Sequence, residues 1–161
     1  FTFSFDVTIP VGGRLTGPNG AVMLTQLKAK KQSSGGSDPF YALELVNGTG
    51  SSLVPRIVTF GHNHPGGWKQ LWIGTSPVPV GRPFRVRMDV EQSKHAVGVV
   101  CFSLDSLPLW QTSAAQTAYE DAQAAVGWGS EVAATWYSDG FTPDSAAAVS
   151  EILVTNAEIQ T

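Results

Sequence analysis

The stretch at residues 60–72, FGHNHPGGWKQLW, concentrates side chains that can do chemistry. His62 and His64 are two residues apart, so in an extended chain they point to the same side and could hold a zinc or copper ion. A metal site needs a third ligand, and the sequence shows no further cluster of His, Asp and Glu near them. The sequence therefore predicts no metal site, and it leaves the two histidines as a catalytic base or as hydrogen-bonding neighbours of a bound sugar.

The second half of the same stretch reads as a hairpin strand that follows the Pro-Gly-Gly turn at 65–67. Strict alternation places Trp68, Gln70 and Trp72 on one face of this strand and its aliphatic residues on the other. If the aliphatic face is buried, the two indoles form an exposed platform on which sugar rings stack. If the tryptophans belong to the core, the platform does not exist. The sequence leaves both interpretations open.

The elements around this stretch are predicted to be β-strands, because apolar and polar residues alternate along them. The opening FTFSFDVTI alternates without error, and turn-rich segments separate it from similar runs. These runs are AVMLTQLKAK, FYALELV, RIVTFG, KQLWIG, FRVRMDVE, AVGVVCFSL, EVAATWYS and SEILVTNAEIQ. The one helical candidate is residues 113–127, rich in Ala and Gln and closed by Gly127. The pattern predicts one all-β domain over residues 1–161, a sandwich or barrel of roughly nine strands with one short helix.

Composition excludes several classes of partner. Charged residues make up 14% of the chain and its net charge is −3, which argues against a basic nucleic-acid surface. The longest apolar runs are too short to span a membrane. The single cysteine, Cys101, rules out an internal disulfide, and its apolar strand context predicts a buried, inert thiol.

Arginines supply the remaining candidates for binding an acidic ligand. In FRVRMDVE, Arg85 and Arg87 share a face opposite the apolar residues of the strand, and Arg56 opens the run RIVTFG. A guanidinium binds a uronate or a sulfate in bidentate fashion. The alternative for each arginine is a solvated position on the outer face of a sandwich.

Six motifs in order resemble the concanavalin-like jelly rolls of the polysaccharide lyases, especially the heparin-lyase-I-like and glucuronan-lyase-like families. They are FTFSFDVTIP, LTQLKAK, PFYALELV, SPVPVGRPFRVRMDVEQS, VGVVCFSLD, and TWYSDGFTP followed by VSEILVTNAEI. The resemblance spans nearly the whole chain and implies a jelly-roll β-sandwich of two antiparallel sheets. Because one fold hosts many functions, it supports the fold more than an activity.

The resemblance carries over part of a catalytic set. Lyases of this kind remove the proton next to a uronate carboxylate and expel the sugar oxygen, which requires a partner for the carboxylate, a base and an acid. Gln26 matches the carboxylate-side Gln of the family, while Lys28 stands where the motif has His. Tyr137 is the nearest phenol in the last aromatic strand, which departs from the family's Lys and Tyr. His62 or His64 could replace the missing base.

Three functions follow as expectations. The first is a carbohydrate-recognition or adhesion module that works outside the cytoplasm or on a virion and binds an anionic polysaccharide. The second is a polysaccharide lyase that cleaves a polyuronate by β-elimination, and the third is a structural domain that contacts other subunits of an assembly such as a phage tail. We expect no nucleic-acid or membrane partner and no cofactor. A structural calcium ion is common in this fold class, but no loop dense in Asp and Asn indicates one.

Overall fold

The computed structural model describes residues 1–13, 15, 21–30, 37–59, 69–91, 93, 97–115, 130–133, 137–139 and 152–160. These residues form eleven strands. In chain order they are β1 (Thr2–Thr8), β2 (Ala21–Lys30), β3 (Ser37–Asn47), β4 (Leu53–Thr59), β5 (Lys69–Ile73), β6 (Pro83–Glu91), β7 (Gly98–Leu104), β8 (Leu107–Ala115), β9 (Ser130–Ala133), β10 (Tyr137–Asp139) and β11 (Leu153–Gln160).

The strands form two antiparallel sheets. The five-stranded sheet has the order β11-β1-β6-β7-β8. The six-stranded sheet has the order β10-β2-β3-β4-β5, and β9 pairs with a second part of β2. Among the residues that the structure describes, no helix has the length and apolarity of a membrane span.

The prediction of one short helix over residues 113–127 is wrong where the structure can be compared with it. Residues 113–115 belong to strand β8, and residues 116–127 lie outside the described residues. The described part of the chain contains a single 3₁₀ turn, Thr49–Ser51, and no α-helix. The Ala-rich composition favours a helix locally, but pairing with β7 outweighs that weak preference.

The core lies between the two sheets and is built by the alternation that the sequence predicts. Phe3, Phe5 and Val7 of β1 are buried on the inner face. They meet side chains of the six-stranded sheet in one cluster, which includes Leu43 and Ile57. Burial of such side chains contributes about 1.5–3 kcal/mol each, so this layer holds the sheets together.

Among the β-bulges of the two sheets, one in β2 and one in β5 change which face the following side chains occupy. In β2, Leu24 is an extra residue between Met23 and Thr25 relative to β3. The strict alternation expected for VMLTQLKAK therefore fails, because the bulge turns Gln26 away from the core that holds Leu24. In β5, Leu71 is the extra residue relative to β4.

Candidate functional site

The outer face of the six-stranded sheet, directed away from the core, carries a row of side chains that crosses four strands. Cross-strand pairing aligns Gln26 of β2 with Ala42 of β3, Ala42 with Val58 of β4, and Val58 with Gln70 of β5. Three strand intervals separate the two glutamines, a distance of about 14 Å. We call this set the amide row: two amides at the ends and two small apolar side chains between them.

Exposure changes along the amide row. Gln26 is 4% exposed, and Ala42 and Val58 are fully buried. Gln70, on the edge strand β5, is exposed to solvent. The amide row is therefore open only at Gln70 on the β5 edge and enclosed from β2 to β4, so a ligand would reach Gln70 first.

A buried ion pair lies beside the amide row. Nε and Nη2 of Arg56 donate to Oε2 of Glu44 at 2.9 and 2.7 Å. The side chains are 17% and 8% exposed. Glu44 pairs across the sheet with Met23 on one side and with Arg56 on the other. Because Glu44 compensates the charge of Arg56, this part of the face is close to neutral.

Lys28 and Tyr137 are placed by backbone register. Positions 26–29 of β2 pair with β9 without interruption, so position 28 falls on the same face as Gln26. Tyr137 of β10 pairs with Met23, which brings position 137 to the same outer face. The register thus brings three of the proposed catalytic positions, 26, 28 and 137, to one face of one sheet.

The histidines and the first tryptophan of the candidate set cannot be placed. His62, His64 and Trp68 lie outside the described residues, so their predicted roles stay predictions.

Trp72 lies on the opposite face from Gln70. The bulge at Leu71 aligns Trp72 with Ile57, a core residue, whereas Gln70 aligns with Val58 of the outer face. Trp72 and Leu71 are half-buried, and both pack against the core. The strict alternation that put Gln70 and Trp72 side by side is broken, and the indole of Trp72 does not share a face with the amide row.

Arg85 belongs to the outer face of the other sheet, where it is engaged with acidic and polar groups. Its guanidinium lies 3.1 Å from carboxylate oxygens of Asp6 and of Glu158, and Nη2 donates to Oγ of Ser4 at 2.8 Å. A hydrogen bond from Asn156, together with Arg85, lowers the pKa of Asp6. Arg85 and Gln26 therefore do not converge on one face.

Arg87 lies on the same outer face as Arg85 and is held by Asp89. Its Nη2 and Nε donate to the carboxylate of Asp89 at 2.7 and 2.8 Å. The hydrogen bonds from Arg87 lower the pKa of Asp89. Cys101, opposite Asp89, is half-buried on this face with Sγ 3.9 Å from Oγ of Ser103. The expected buried thiol is thus partly accessible.

A metal centre finds no support in the part of the chain that the structure describes. There, no three side chains of His, Cys, Asp or Glu lie close enough to share an ion.

Glu44 is the residue of this face that sequence reasoning missed. It stands inside the apolar run YALELV, where a carboxylate is costly unless it is paired. That position was the available signal: a buried charge predicts a buried partner, and Arg56 is the partner.

Comparisons with solved structures identify proteins that share the fold of this chain. No protein-family model and no curated protein matches the chain. The structure of an alginate lyase from Pseudomonas aeruginosa is similar with a TM-score of 0.58 and 16% identity, over 99% of this chain and 63% of that one. A PL-14 alginate lyase from Aplysia kurodai has a TM-score of 0.55 and 14% identity, over 97% of this chain and 67% of that one.

An endo-β-1,4-glucuronan lyase from the fungus Trichoderma reesei is also similar, with a TM-score of 0.52 and 16% identity, over 74% of this chain and 51% of that one. The chain thus spans about half to two thirds of the length of these enzymes. The expected resemblance is confirmed at the level of architecture: the chain has the jelly-roll β-sandwich fold that alginate and glucuronan lyases share.

Proposed function

We propose that this chain is a carbohydrate-recognition module that binds an acidic polysaccharide on the outer face of the six-stranded sheet. The observation that carries the proposal is the amide row, which crosses four strands from Gln26 to Gln70. The solved neighbours are lyases of alginate and glucuronan, which supports an acidic polymer as the ligand. We also propose that the module works outside the cytoplasm or on a virion surface.

The chemistry of the amide row suits a uronate polymer. The exposed amide of Gln70 offers two N–H donors and a carbonyl acceptor, so it can bind both the carboxylate and the hydroxyl groups of a sugar. A length of about 14 Å suits an extended chain rather than a single ring. The polymer would contact Gln70 at the open edge, and Gln26 can take part only if the enclosed end of the row opens to the ligand.

Hydrogen bonding, rather than bulk charge, is expected to supply most of the affinity. Arg56 is compensated by Glu44, and the two arginines of the opposite sheet are held by acidic partners. We therefore expect binding that weakens only modestly with added salt, because these three arginines are each compensated by a carboxylate.

Cleavage by β-elimination is the second candidate, favoured by the shared face of positions 26, 28 and 137. In this reaction the amide of Gln26 binds the uronate carboxylate and stabilises the charge that develops there. Lys28 would act as the base in its neutral amine form, which is the form that can take the proton next to the carboxylate. The electron pair forms a carbon–carbon double bond, the bond to the leaving sugar oxygen breaks, and the hydroxyl of Tyr137 protonates that oxygen.

One experiment tests binding. Calorimetric titration with alginate, with glucuronan and with a neutral polysaccharide should give heat only with the acidic polymers. Gln70→Ala and Gln26→Ala should each weaken binding roughly tenfold, the loss of one good hydrogen bond to a charged group. Arg85→Ala is the matched control, because Arg85 lies on the other sheet and should leave the affinity unchanged. Equal losses in all three variants, or no heat with either acidic polymer, would contradict the proposal.

Cleavage is tested on the same samples by the ultraviolet absorbance of the unsaturated sugar ends. Absorbance that rises with wild type and not with Lys28→Ala would establish the lyase and name its base. Binding without any rise in absorbance would reject the lyase and leave the recognition module.

A further inference from the structure

Four large apolar side chains are exposed at one end of the five-stranded sheet. Val11 is 82% exposed, Val80 46%, Leu107 70% and Leu153 60%. We call this set the apolar end. Single exposed apolar residues are common in soluble proteins, whereas a contiguous group of them marks an interaction surface.

The pairing of the strands shows that these residues share one end. Leu153 pairs with Thr8 at the last residue of β1, and the amide of Gly81 donates to the carbonyl oxygen of Ile9 at 2.7 Å. Leu107 begins β8 opposite Leu104, the last residue of β7. The apolar end therefore follows the order of the strands from β11 to β8, across four intervals or about 19 Å.

Leu107 is one of the residues that line a cleft of about 350 Å³. Trp72, Pro55, Pro77 and Leu109 are among the residues that line it. Asp105 is the one charged residue among its described lining residues. The same end of the molecule thus has both a protruding apolar side chain and an apolar recess.

We propose that the apolar end binds a second copy of this chain about a two-fold axis. An isologous contact requires one patch that is complementary to itself, and a protrusion beside a recess meets that requirement. A two-fold rotation directs Leu107 of each copy toward the cleft of the other.

The two charged side chains at the apolar end, Arg82 and Asp105, are also compatible with a second copy of the chain as the partner. Nη1 of Arg82 lies 3.6 Å from Oδ2 of Asp105, with side chains that are 63% and 43% exposed. Because the two charges are opposite, identical ends meet without net repulsion. Across a two-fold axis, Arg82 of one copy can also pair with Asp105 of the second copy.

Sedimentation equilibrium over a series of concentrations tests the proposal. Wild type should approach twice the chain mass of 17.1 kDa. Leu107→Asp should weaken association roughly tenfold or more, because it places a carboxylate in an apolar recess. Val97→Asp is the matched control, since Val97 is 67% exposed and lies in the turn before β7. That variant should associate like wild type.

Two outcomes would overturn the proposal. The first is a wild-type mass of one chain at every concentration, and the second is equal behaviour of the Leu107→Asp and Val97→Asp variants. Because both positions are exposed, circular dichroism and thermal melts of the variants should match wild type. A loss of association in Leu107→Asp therefore reports on the contact rather than on folding.

Discussion

At the scale of single residues, the Glu44–Arg56 pair is the most constrained polar contact of the outer face. Both side chains are largely removed from water, and one carboxylate oxygen accepts two N–H donors. An ion pair in such a place stabilises little relative to an apolar pair, but removing one partner leaves a desolvated charge. The pair therefore fixes the geometry of this face more than it stabilises the fold.

We expect Glu44→Gln to lower the free energy of unfolding by about 3 kcal/mol, the lower end for a broken buried pair. The substitution keeps the shape of the side chain and removes the charge that compensates Arg56. Urea denaturation followed by circular dichroism measures the loss. Asp89→Asn is the control on the exposed Arg87–Asp89 pair, where a loss below about 1 kcal/mol is expected. Similar losses in both variants would show that the Glu44–Arg56 pair behaves like a surface contact.

At the scale of elements, strand β1 is the clearest case in which the alternation of the sequence predicts the buried residues of the core. Phe5 is fully buried, and its ring centroid lies 5.2 Å from that of Phe3. We expect Phe5→Ala to cost about 3–5 kcal/mol of unfolding free energy, because it leaves a cavity between the sheets. The same denaturation measurement on Val97→Ala should show less than about 0.5 kcal/mol. A small loss in Phe5→Ala would mean that the sheets close over the cavity.

Elements with strict alternation could be predicted from the sequence, and elements with bulges could not. The alternation of β6 predicts the observed burial of Phe84, Val86 and Met88. A bulge adds one residue on one strand only, so the face of Gln26 or Trp72 depends on the partner strand, which a single sequence does not show.

Strand β8 was missed for a different reason. Its hairpin turns through Asp105 and Ser106, both with positive φ. That conformation is usually signalled by Asn-Gly or Asp-Gly, and neither stands at this turn.

The candidate site could be predicted only in part. The motif around Gln26 identified a residue that lies on the outer face, and Gln70 was chosen as a neighbour of tryptophans rather than of Gln26. Arg85 and Arg87 were grouped with them by residue type, which carries no information about the sheet on which a strand lies. Glu44 stands out in the apolar run YALELV, but the run does not show that Arg56 of the neighbouring strand is its partner.

At the scale of the whole molecule, the connection of residues 74–82 joins the two sheets. The amide of Gly74 donates to the carbonyl oxygen of Pro55 and that of Val78 to Leu53, both at 2.8 Å. The amide of Gly81 donates to the carbonyl oxygen of Ile9, the residue that follows β1 of the five-stranded sheet, at 2.7 Å. The connection therefore ties the first residues of β4 to the residue that follows β1.

We expect Gly74→Ala to disturb this junction. A Cβ atom at Gly74 would lie 2.9 Å from Cη2 of Trp72 and 3.0 Å from Cγ of Pro55, so both side chains must move. The expected loss is about 1–3 kcal/mol of unfolding free energy, with a change in tryptophan fluorescence. The double variant Gly74→Ala/Trp72→Phe should recover part of the loss, because the phenyl ring lacks the clashing atom. No recovery would assign the strain to Pro55 alone.

The double burial of β3 has a consequence for the dynamics of the molecule. This strand is paired on both edges, and its residues 41–46 are buried on both faces. Its amide protons should therefore exchange with solvent more slowly than those of the edge strands, and only through global unfolding. The amide protons of Ala42 and Glu44 would then be among the slowest to exchange. The amide proton of Gln70, on the edge strand β5, would exchange faster through local opening.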